Sequence, residues 1–161
     1  VLNNESPKDF IENEPHRNAI QKVYISRSFN RNVSTGDLIL FYRTGGYYKS
    51  VVSTIGIVES VYNNIKDEDQ FIDLCRKRSV FSDNELRKHW RHKFSNGKWV
   101  PPFIVNFLYI YTFPKRLNLE KLIELGVIND IESAPRGFEP ITMDQFNKII
   151  NQVATIEYRY R

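Results

Sequence analysis

The stretch GDLILFYRTGGYYKSVVSTIGIVESVY, residues 36–62, decides the fold class because it predicts two long strands joined by a tight turn. In residues 37–44 the side chains alternate between two faces, which is the period of a strand. Residues 51–61 are rich in β-branched side chains and apolar on both faces, so we expect both faces to be covered. Gly45 and Gly46 provide the positive φ angles that the reversal needs. A small closed or nearly closed barrel would bury these strands and hide their edges.

The rest of the chain carries further helix and strand signals. Acidic residues open the segment 67–76 and basic residues close it, as the helix dipole favours, and Ser82 with Glu85 has the form of a capping box. The predicted helices are Asp67–Arg76, Ser82–His92, Asn118–Gly126 and Thr142–Gln152, with a short helix at Pro15–Gln21 in an otherwise irregular N-terminal segment, residues 1–20. The predicted strands outside the hairpin are Lys22–Ser26, Phe103–Phe113 and a short one at the end of the loop Ala134–Ile141.

Length and composition indicate one folded domain. The chain has 161 residues and an aromatic content of 14%, which is too high for a disordered chain. Its net charge of +4 permits nucleic-acid binding without establishing it, because 19 acidic residues are interspersed. The single cysteine, Cys75, cannot form an internal disulfide, so we expect a cytoplasmic protein, and no apolar run reaches the roughly 20 residues that span a membrane. Because the chain starts at Val1, we expect residues 1–161 to be a fragment of a longer protein.

Four short motifs carry a family resemblance. They are Gly36–Asp37 before a strand that ends in Phe41–Tyr42, the returning strand Ile55–Val61, the long strand 103–113, and Arg136–Thr142 before the last helix. In this order they resemble the PUA-like superfamily and, within it, the EVE type of domain, with YTH and ASCH domains as more distant relatives. The chain departs from the EVE pattern by two inserted helices between residues 67 and 93 and by the lack of an opening strand.

The resemblance implies an α+β fold, a PUA-like mixed β-barrel of five or six strands flanked by helices. It also implies a pocket that accepts a flipped, often modified, nucleobase of RNA or DNA. Related sequences can follow an acetyltransferase domain, so a covalently linked upstream domain is expected as well. The resemblance predicts nothing about the oligomeric state.

Two groups of residues are candidates for the base pocket, since such pockets combine flat rings with a few polar groups. One group follows the first predicted strand and the other lies at the hairpin tip, and in EVE-like folds these regions meet around the pocket. The predicted base-binding residues are Tyr24, Ser26, Ser28, Phe29, Tyr42, Thr44, Tyr47 and Tyr48. The alternative is that Phe29 and Tyr42 belong to the core and that Tyr47 and Tyr48 only cap the barrel.

The candidate phosphate ligands are basic residues near the pocket and on the helix that runs through residues 87–93. They are Arg27, Arg43, Arg87, Lys88, Arg91 and Arg136. Trp90 would either stack on a base or anchor the helix to the barrel, and the alternative for the whole helix is a solvated charged face. The turn Arg136–Gly137–Phe138 either closes over the base or is ordered by Phe138 in the core.

Nothing in the sequence argues for catalysis or for a cofactor. His89 and His92 have a metal-binding spacing, but no paired ligand motif accompanies them, so we predict no metal. Cys75 lies on the apolar face of a predicted helix, as a buried residue would. The domain is therefore predicted to bind nucleic acid without altering it. The alternatives are a protein-interaction or regulatory module attached to an enzyme, and an enzyme acting on RNA or a nucleotide with Lys49 and Glu59 in its cleft.

Overall fold

The computed structural model describes residues 2–5, 21–43, 50–79 and 81–159, and of residues 2–5, 115 and 154–159 only the backbone. The predicted Gly45–Gly46 turn lies outside these residues, and so does the predicted helix Pro15–Gln21 except for Gln21, which is the first residue of a strand. None of the helices in the described ranges has both the length and the apolar character needed to cross a membrane.

Five strands form one mixed sheet. Its spatial order is β1-β3-β4-β5-β2, with β1 parallel to β3 and every other pair antiparallel. The strands are β1 Leu2–Glu5, β2 Gln21–Ser26, β3 Leu38–Arg43, β4 Val51–Tyr62 and β5 Phe103–Asn118. The register shifts once between β3 and β4 and three times between β4 and β5, and such bulges increase the local twist and bend the strands. The predicted α+β class, with five strands and flanking helices, is confirmed.

Four helices flank the sheet, and their first turns are fixed by side-chain caps. The side chains of Asp67, Ser82 and Asn118 each accept a hydrogen bond from a backbone N–H three residues later. Ser82 and Glu85 form the predicted capping box. The helices are α1 Glu68–Arg76, α2 Asp83–Arg91, α3 Leu119–Glu124 and α4 Met143–Arg159, with a short 3-10 turn at Ile131–Ser133.

The apolar side chains fall into three clusters, and β4 contributes to two of them. Ile55 packs with α3 and α4, whereas Val58 packs with Phe107 and Phe138. This explains why β4 is apolar on both faces. A third cluster holds α1 and α2 against β2 and β5, with Phe71 and Ile104 buried between them.

Some element boundaries differ from the prediction. The predicted lack of an opening strand was wrong: Leu2–Glu5 pairs in parallel with β3, with Leu2 opposite Leu40. This polar segment is a strand because it pairs through its backbone with a buried neighbour, which no side-chain pattern reveals. The short strand predicted before Ile141 is only an isolated bridge at Glu139.

Gly56 provides a test of how β4 packs against its neighbours. A Cβ at this position would lie 2.8 Å from Cδ2 of Phe107 and 3.1 Å from the backbone oxygen of Leu108. We therefore expect Gly56→Ala to lower the free energy of unfolding by about 1–3 kcal/mol, measured by urea denaturation. Phe107→Val removes Cδ2 of this ring but leaves the Leu108 oxygen and Cε2 of Phe41, which is 3.3 Å away, so the double variant should be more stable than the sum of the single effects predicts. Strict additivity would show that the ring of Phe107 does not limit the space at Gly56.

Candidate functional site

The loop that follows β2 is tied to helix α2 by the side chain of Arg27. Its Nε donates to the carbonyl oxygen of Val100 at 3.1 Å, and its Nη2 donates to that of Trp90 at 3.0 Å. Trp90 lies in the last turn of α2, where carbonyl groups lack a partner within the helix. Burial lowers the pKa of Arg27, but an arginine side chain remains charged at neutral pH. The loop is thus held by a charged group that faces only neutral acceptors.

Arg31 is held in the same way a few residues later. Its guanidinium donates to the carbonyl oxygens of Ser28 and Pro101 and to Oδ1 of Asn63, at distances of 3.0, 2.6 and 2.7 Å. It also lies 4.6 Å from the ring centroid of Phe103, as in a cation–π contact. Burial lowers the pKa of Arg31 too. Within the described ranges no carboxylate pairs with Arg27 or Arg31.

Exposed aromatic rings lie beside these two arginines. Phe29 is 80% exposed and its ring stacks on that of Phe94, with centroids 6.3 Å apart and an angle of 24° between the planes. Trp99 is 41% exposed, packs edge-on against Trp90, and donates from Nε1 to the Trp90 carbonyl at 2.6 Å. We call Phe29, Phe94 and Trp99 the aromatic face. Such rings can stack on planar heterocycles.

The turn at residues 136–138 borders the loop on its other side. Phe138 is buried against Tyr24 and Phe103, with ring centroids 5.8 and 5.3 Å away. A Cβ on Gly137 would overlap the hydroxyl of Ser28, so only glycine fits this close approach. Burial of Phe138 orders the turn, as the second sequence interpretation expected, while the side chain of Arg136 remains exposed at its rim.

The other predicted base-binding residues lie in different places. Tyr24 and Tyr42 are buried in the core, and burial raises the pKa of Tyr42, so neither ring is open to a base in this structure. The hydroxyl of Ser26 accepts a hydrogen bond from the backbone of Ser28, whose own hydroxyl donates to the carbonyl of Asn30. Three predicted residues fall outside the described ranges: Thr44, Tyr47 and Tyr48.

Two of the three predicted phosphate ligands on α2 are engaged in ion pairs. Nη1 of Arg87 lies 2.7 Å from Oε1 of Glu68, and Nε of Arg91 lies 2.8 Å from Oε2 of the same carboxylate. Trp90 turns inward and packs on Phe71, with ring centroids 5.4 Å apart. Lys88 is exposed and has no ion-pair partner among the described side chains. Helix α2 is therefore anchored to α1 by Trp90, and two of its cations form ion pairs with Glu68 at the surface.

Two other predicted cations differ from those on α2. Arg43 is partly exposed at the end of β3, and its Nε is buried without a hydrogen-bond partner. Arg136 has an exposed side chain that pairs with no carboxylate among the described residues, and its backbone N–H donates to Oε1 of Glu139 at 3.4 Å.

Sequence reasoning missed Arg31, Phe94 and Trp99 as members of one site. A signal for them exists: no Asp or Glu occurs between Glu14 and Asp37, or between Glu85 and Glu120. The antiparallel pairing of β2 with β5 brings these two acid-free stretches together, with Ser26 opposite Phe103. Cations that have no acidic neighbour in the sequence therefore meet where the loop approaches β5, although Arg87 and Arg91 of the second stretch pair with Glu68 of α1.

The described residues form neither a metal site nor a reactive cysteine nucleophile. No cluster of three or more His, Cys, Asp and Glu side chains there could hold a metal ion. Cys75 is fully buried, and burial raises the pKa of its thiol to about 12. The thiolate, which is the reactive form, is therefore strongly disfavoured.

The fold defines a protein of the PUA-like class, and the sequence places it within one family. The chain matches the family model of the EVE domain over residues 12–152, and it therefore belongs to the EVE domain family. The resemblance deduced from the four short motifs is confirmed. No curated protein matches the chain in sequence.

Solved structures share the fold at low sequence identity. ASCH from Zymomonas mobilis superposes with a TM-score of 0.63 at 12% identity, over 93% of this chain and 92% of the other. A hypothetical protein from Leishmania major superposes with a TM-score of 0.61 at 15% identity, over 97% of this chain and 94% of the other. Human THYN1, in complex with DNA that contains 5-methylcytosine, superposes with a TM-score of 0.53 at 14% identity, over 94% of this chain and 95% of the other. At these identities the similarity concerns the fold alone.

Acid titration tests the junction between α1 and α2. Hydrogen bonds from Arg91, and then from Arg87, hold the pKa of the Glu68 carboxyl below its usual range. The resulting stabilisation is present above the unfolded pKa and is lost as the pH falls through the lowered folded value. Glu68→Gln should therefore lower the urea midpoint at neutral pH, and the difference from the unchanged protein should shrink in acid. Asp69→Asn, at an exposed neighbour without an ion pair in the described ranges, is the control. An equal effect of both substitutions would contradict the shared role of Glu68.

Thiol labelling tests the burial of Cys75. Because this is the only cysteine and its thiolate is disfavoured, we expect a thiol reagent to label the folded protein very slowly at mildly alkaline pH. Addition of guanidinium chloride should give rapid labelling of one thiol per chain. Rapid labelling without denaturant would mean that α1 opens readily and that Cys75 is accessible.

Proposed function

We propose that this EVE domain binds single-stranded DNA or RNA without altering it, with one extruded base stacked on Phe29. The observation that carries the proposal is a largely exposed ring beside two arginines whose charges no described carboxylate neutralises. A flat ring and un-neutralised positive charge are the two elements that single-strand binding requires. The domain would hold the backbone by charge and the base by stacking.

The stacking step depends on the position of Phe29. An aromatic side chain that is 80% exposed contributes little to the core, and the nearly parallel ring of Phe94 supports it from one side. The opposite face of Phe29 can then take a base without prior rearrangement. Such stacking tolerates any base, because every base has a π face.

The charge step depends on Arg27 and Arg31. Both guanidinium groups are fixed by carbonyl oxygens, so little side-chain entropy remains to be lost when a phosphate approaches. Arg136 is exposed on the other border of the loop, across the contact between Gly137 and Ser28. The proposal therefore shifts the phosphate contacts from Arg87 and Arg91 to the loop after β2.

The identity of the base is a finer part of the proposal. The fold is similar to that of human THYN1, whose complex contains DNA with 5-methylcytosine, and this supports a test with that base first. We propose that an extruded, modified base is accepted, with Thr44, Tyr47 and Tyr48 as further candidate contacts. Comparison of strands that differ only in one cytosine methyl group tests this part separately.

Phe29→Ala tests the stacking step. Loss of one stacked base costs about 1–3 kcal/mol, so the affinity for a short single strand should fall about five- to 150-fold in fluorescence anisotropy. The melting temperature should hardly change, because the ring is so exposed. Met143→Ala, at a residue 68% exposed at the start of α4, should leave the affinity unchanged.

Salt titration separates the proposal from its rivals. Binding through phosphates releases counterions from the nucleic acid, and this release becomes less favourable as the salt concentration rises. The affinity must therefore fall with added salt. Equal affinity of the unchanged protein and Phe29→Ala would place the base elsewhere. Absence of binding to any strand, together with salt-insensitive binding to a protein partner, would favour an interaction module.

A further inference from the structure

We infer that Trp99 forms a second stacking site, for the nucleotide next to the one on Phe29, so that the domain recognises at least two consecutive nucleotides. The inference rests on the proposed function and extends it by naming the length of the ligand. Its basis is the indole of Trp99, which is fixed by a hydrogen bond and partly exposed. A turn that is closed by a backbone hydrogen bond between Phe94 and Lys98 leads directly into Trp99.

The indole of Trp99 can contact a ligand only through its ring surface, because its N–H is already hydrogen-bonded. A tryptophan side chain has one polar group, its ring N–H, and here that group donates to the carbonyl oxygen of Trp90 at 2.6 Å. The ring is 41% exposed in spite of its size. A ligand can therefore contact its apolar surface but receives no hydrogen bond from it, which predicts little dependence on the base at this position.

The ring is also fixed before any ligand arrives. Trp99 packs edge-on against Trp90, with centroids 5.2 Å apart, and Trp90 packs in turn on the buried ring of Phe71 at 5.4 Å. A continuous series of rings thus runs from the core to the surface. Because a fixed ring loses little freedom on binding, most of its stacking energy is available for affinity.

A tight turn places Trp99 beside the first stacking site. The backbone N–H of Phe94 donates to the carbonyl of Lys98 at 2.9 Å, and Gly97 takes a φ of +76° to close the turn. Lys98 lies opposite Phe94 in this turn, and Trp99 is the next residue. The ring of Phe94 in turn stacks on the ring of Phe29. The Trp90 carbonyl that holds the indole also accepts from Arg27, so the indole and the guanidinium are neighbours.

The cations around the turn suit a phosphate between two stacked bases. Lys93 and Lys98 flank the aromatic face and are exposed, and neither forms an ion pair with a carboxylate in the part of the chain that the structure describes. The whole turn lies within the acid-free stretch between Glu85 and Glu120. Stacking surface and positive charge therefore continue beyond Phe29 along this segment.

The test measures affinity against ligand length with the intact chain. Binding of a mononucleotide, the matching dinucleotide and a hexanucleotide of one base type is compared by calorimetry for the unchanged protein, Trp99→Ala and Trp99→Phe. We expect affinity to rise from the mononucleotide to the dinucleotide in the unchanged protein. Trp99→Ala should remove most of this gain, about five- to 150-fold, while its mononucleotide affinity stays the same and serves as the control for folding. Trp99→Phe should keep most of the gain.

Tyr111→Ala is the matched control, because Tyr111 is 37% exposed and lies far along β5 from Phe103, which borders the site. It should leave all affinities unchanged. An equal affinity of the unchanged protein for the mononucleotide and the dinucleotide would overturn the second site and leave the proposed function standing. Equal losses for all ligands in Trp99→Ala would overturn it as well, since Trp99 would then belong to the first site or to the fold. Absence of binding at every length would overturn both proposals.

Discussion

Arg27 donates to the carbonyl oxygens of Trp90 and Val100, and these two bonds join the end of β2 to the end of α2 and to the segment that leads into β5. A helix C-terminus carries partial negative charge on carbonyls without partners, and a cation is the preferred group there. The same Trp90 carbonyl positions the indole of Trp99. Loss of the guanidinium would leave the Val100 carbonyl without this donor and remove the bond between the loop and α2, so that Arg31 alone would tie the loop to the segment before β5. Arg27 therefore joins the two parts of the chain that carry the aromatic face.

The distribution of charge has a physical consequence that the net value of +4 does not convey. Arg76, Arg78, Arg87 and Arg91 each lie within ion-pair distance of a carboxylate, so their field is largely cancelled at longer range. Arg27 and Arg31 bond to neutral oxygens, and no carboxylate in the described ranges pairs with them. Counting the described side chains alone, the cations of the loop after β2 are therefore less compensated by carboxylates than those of α2, although α2 contains more cations.

The sequence was sufficient for those features that local chemistry determines. The capping box of Ser82 and Glu85, the alternation in β3 and the apolar faces of β4 all arise from neighbouring residues, and each was predicted. Features that depend on distant parts of the chain were not predictable in this way. Nothing local distinguishes Glu68 from other surface acids, and only the packing of α1 on α2 places it between two arginines. Leu2–Glu5 likewise becomes a strand through the backbone of β3.

The candidate site was partly accessible to sequence reasoning for the same reason. Phe29 and Arg27 were selected because they follow a strand in a family with a pocket, whereas Phe94 and Trp99 lie far away in the chain. Their proximity follows from the pairing of β2 with β5 and from the turn that joins Phe94 to Lys98. The rings Tyr24 and Tyr42 are as aromatic as Phe29, and only the packing of the core separates them from it.

The described part of the candidate site is suited to affinity more than to discrimination between bases. The hydroxyl of Ser28, Oδ1 of Asn63 and Nε1 of Trp99 already have partners within the protein, so none of them is reserved for a base edge. What remains is stacking and charge, and neither distinguishes one base from another strongly. Burial of one extra methyl group on a stacked base is worth at most about 0.8 kcal/mol, which corresponds to roughly a fourfold preference. A larger preference for a methylated base would therefore require polar groups or a closed wall beyond the aromatic face.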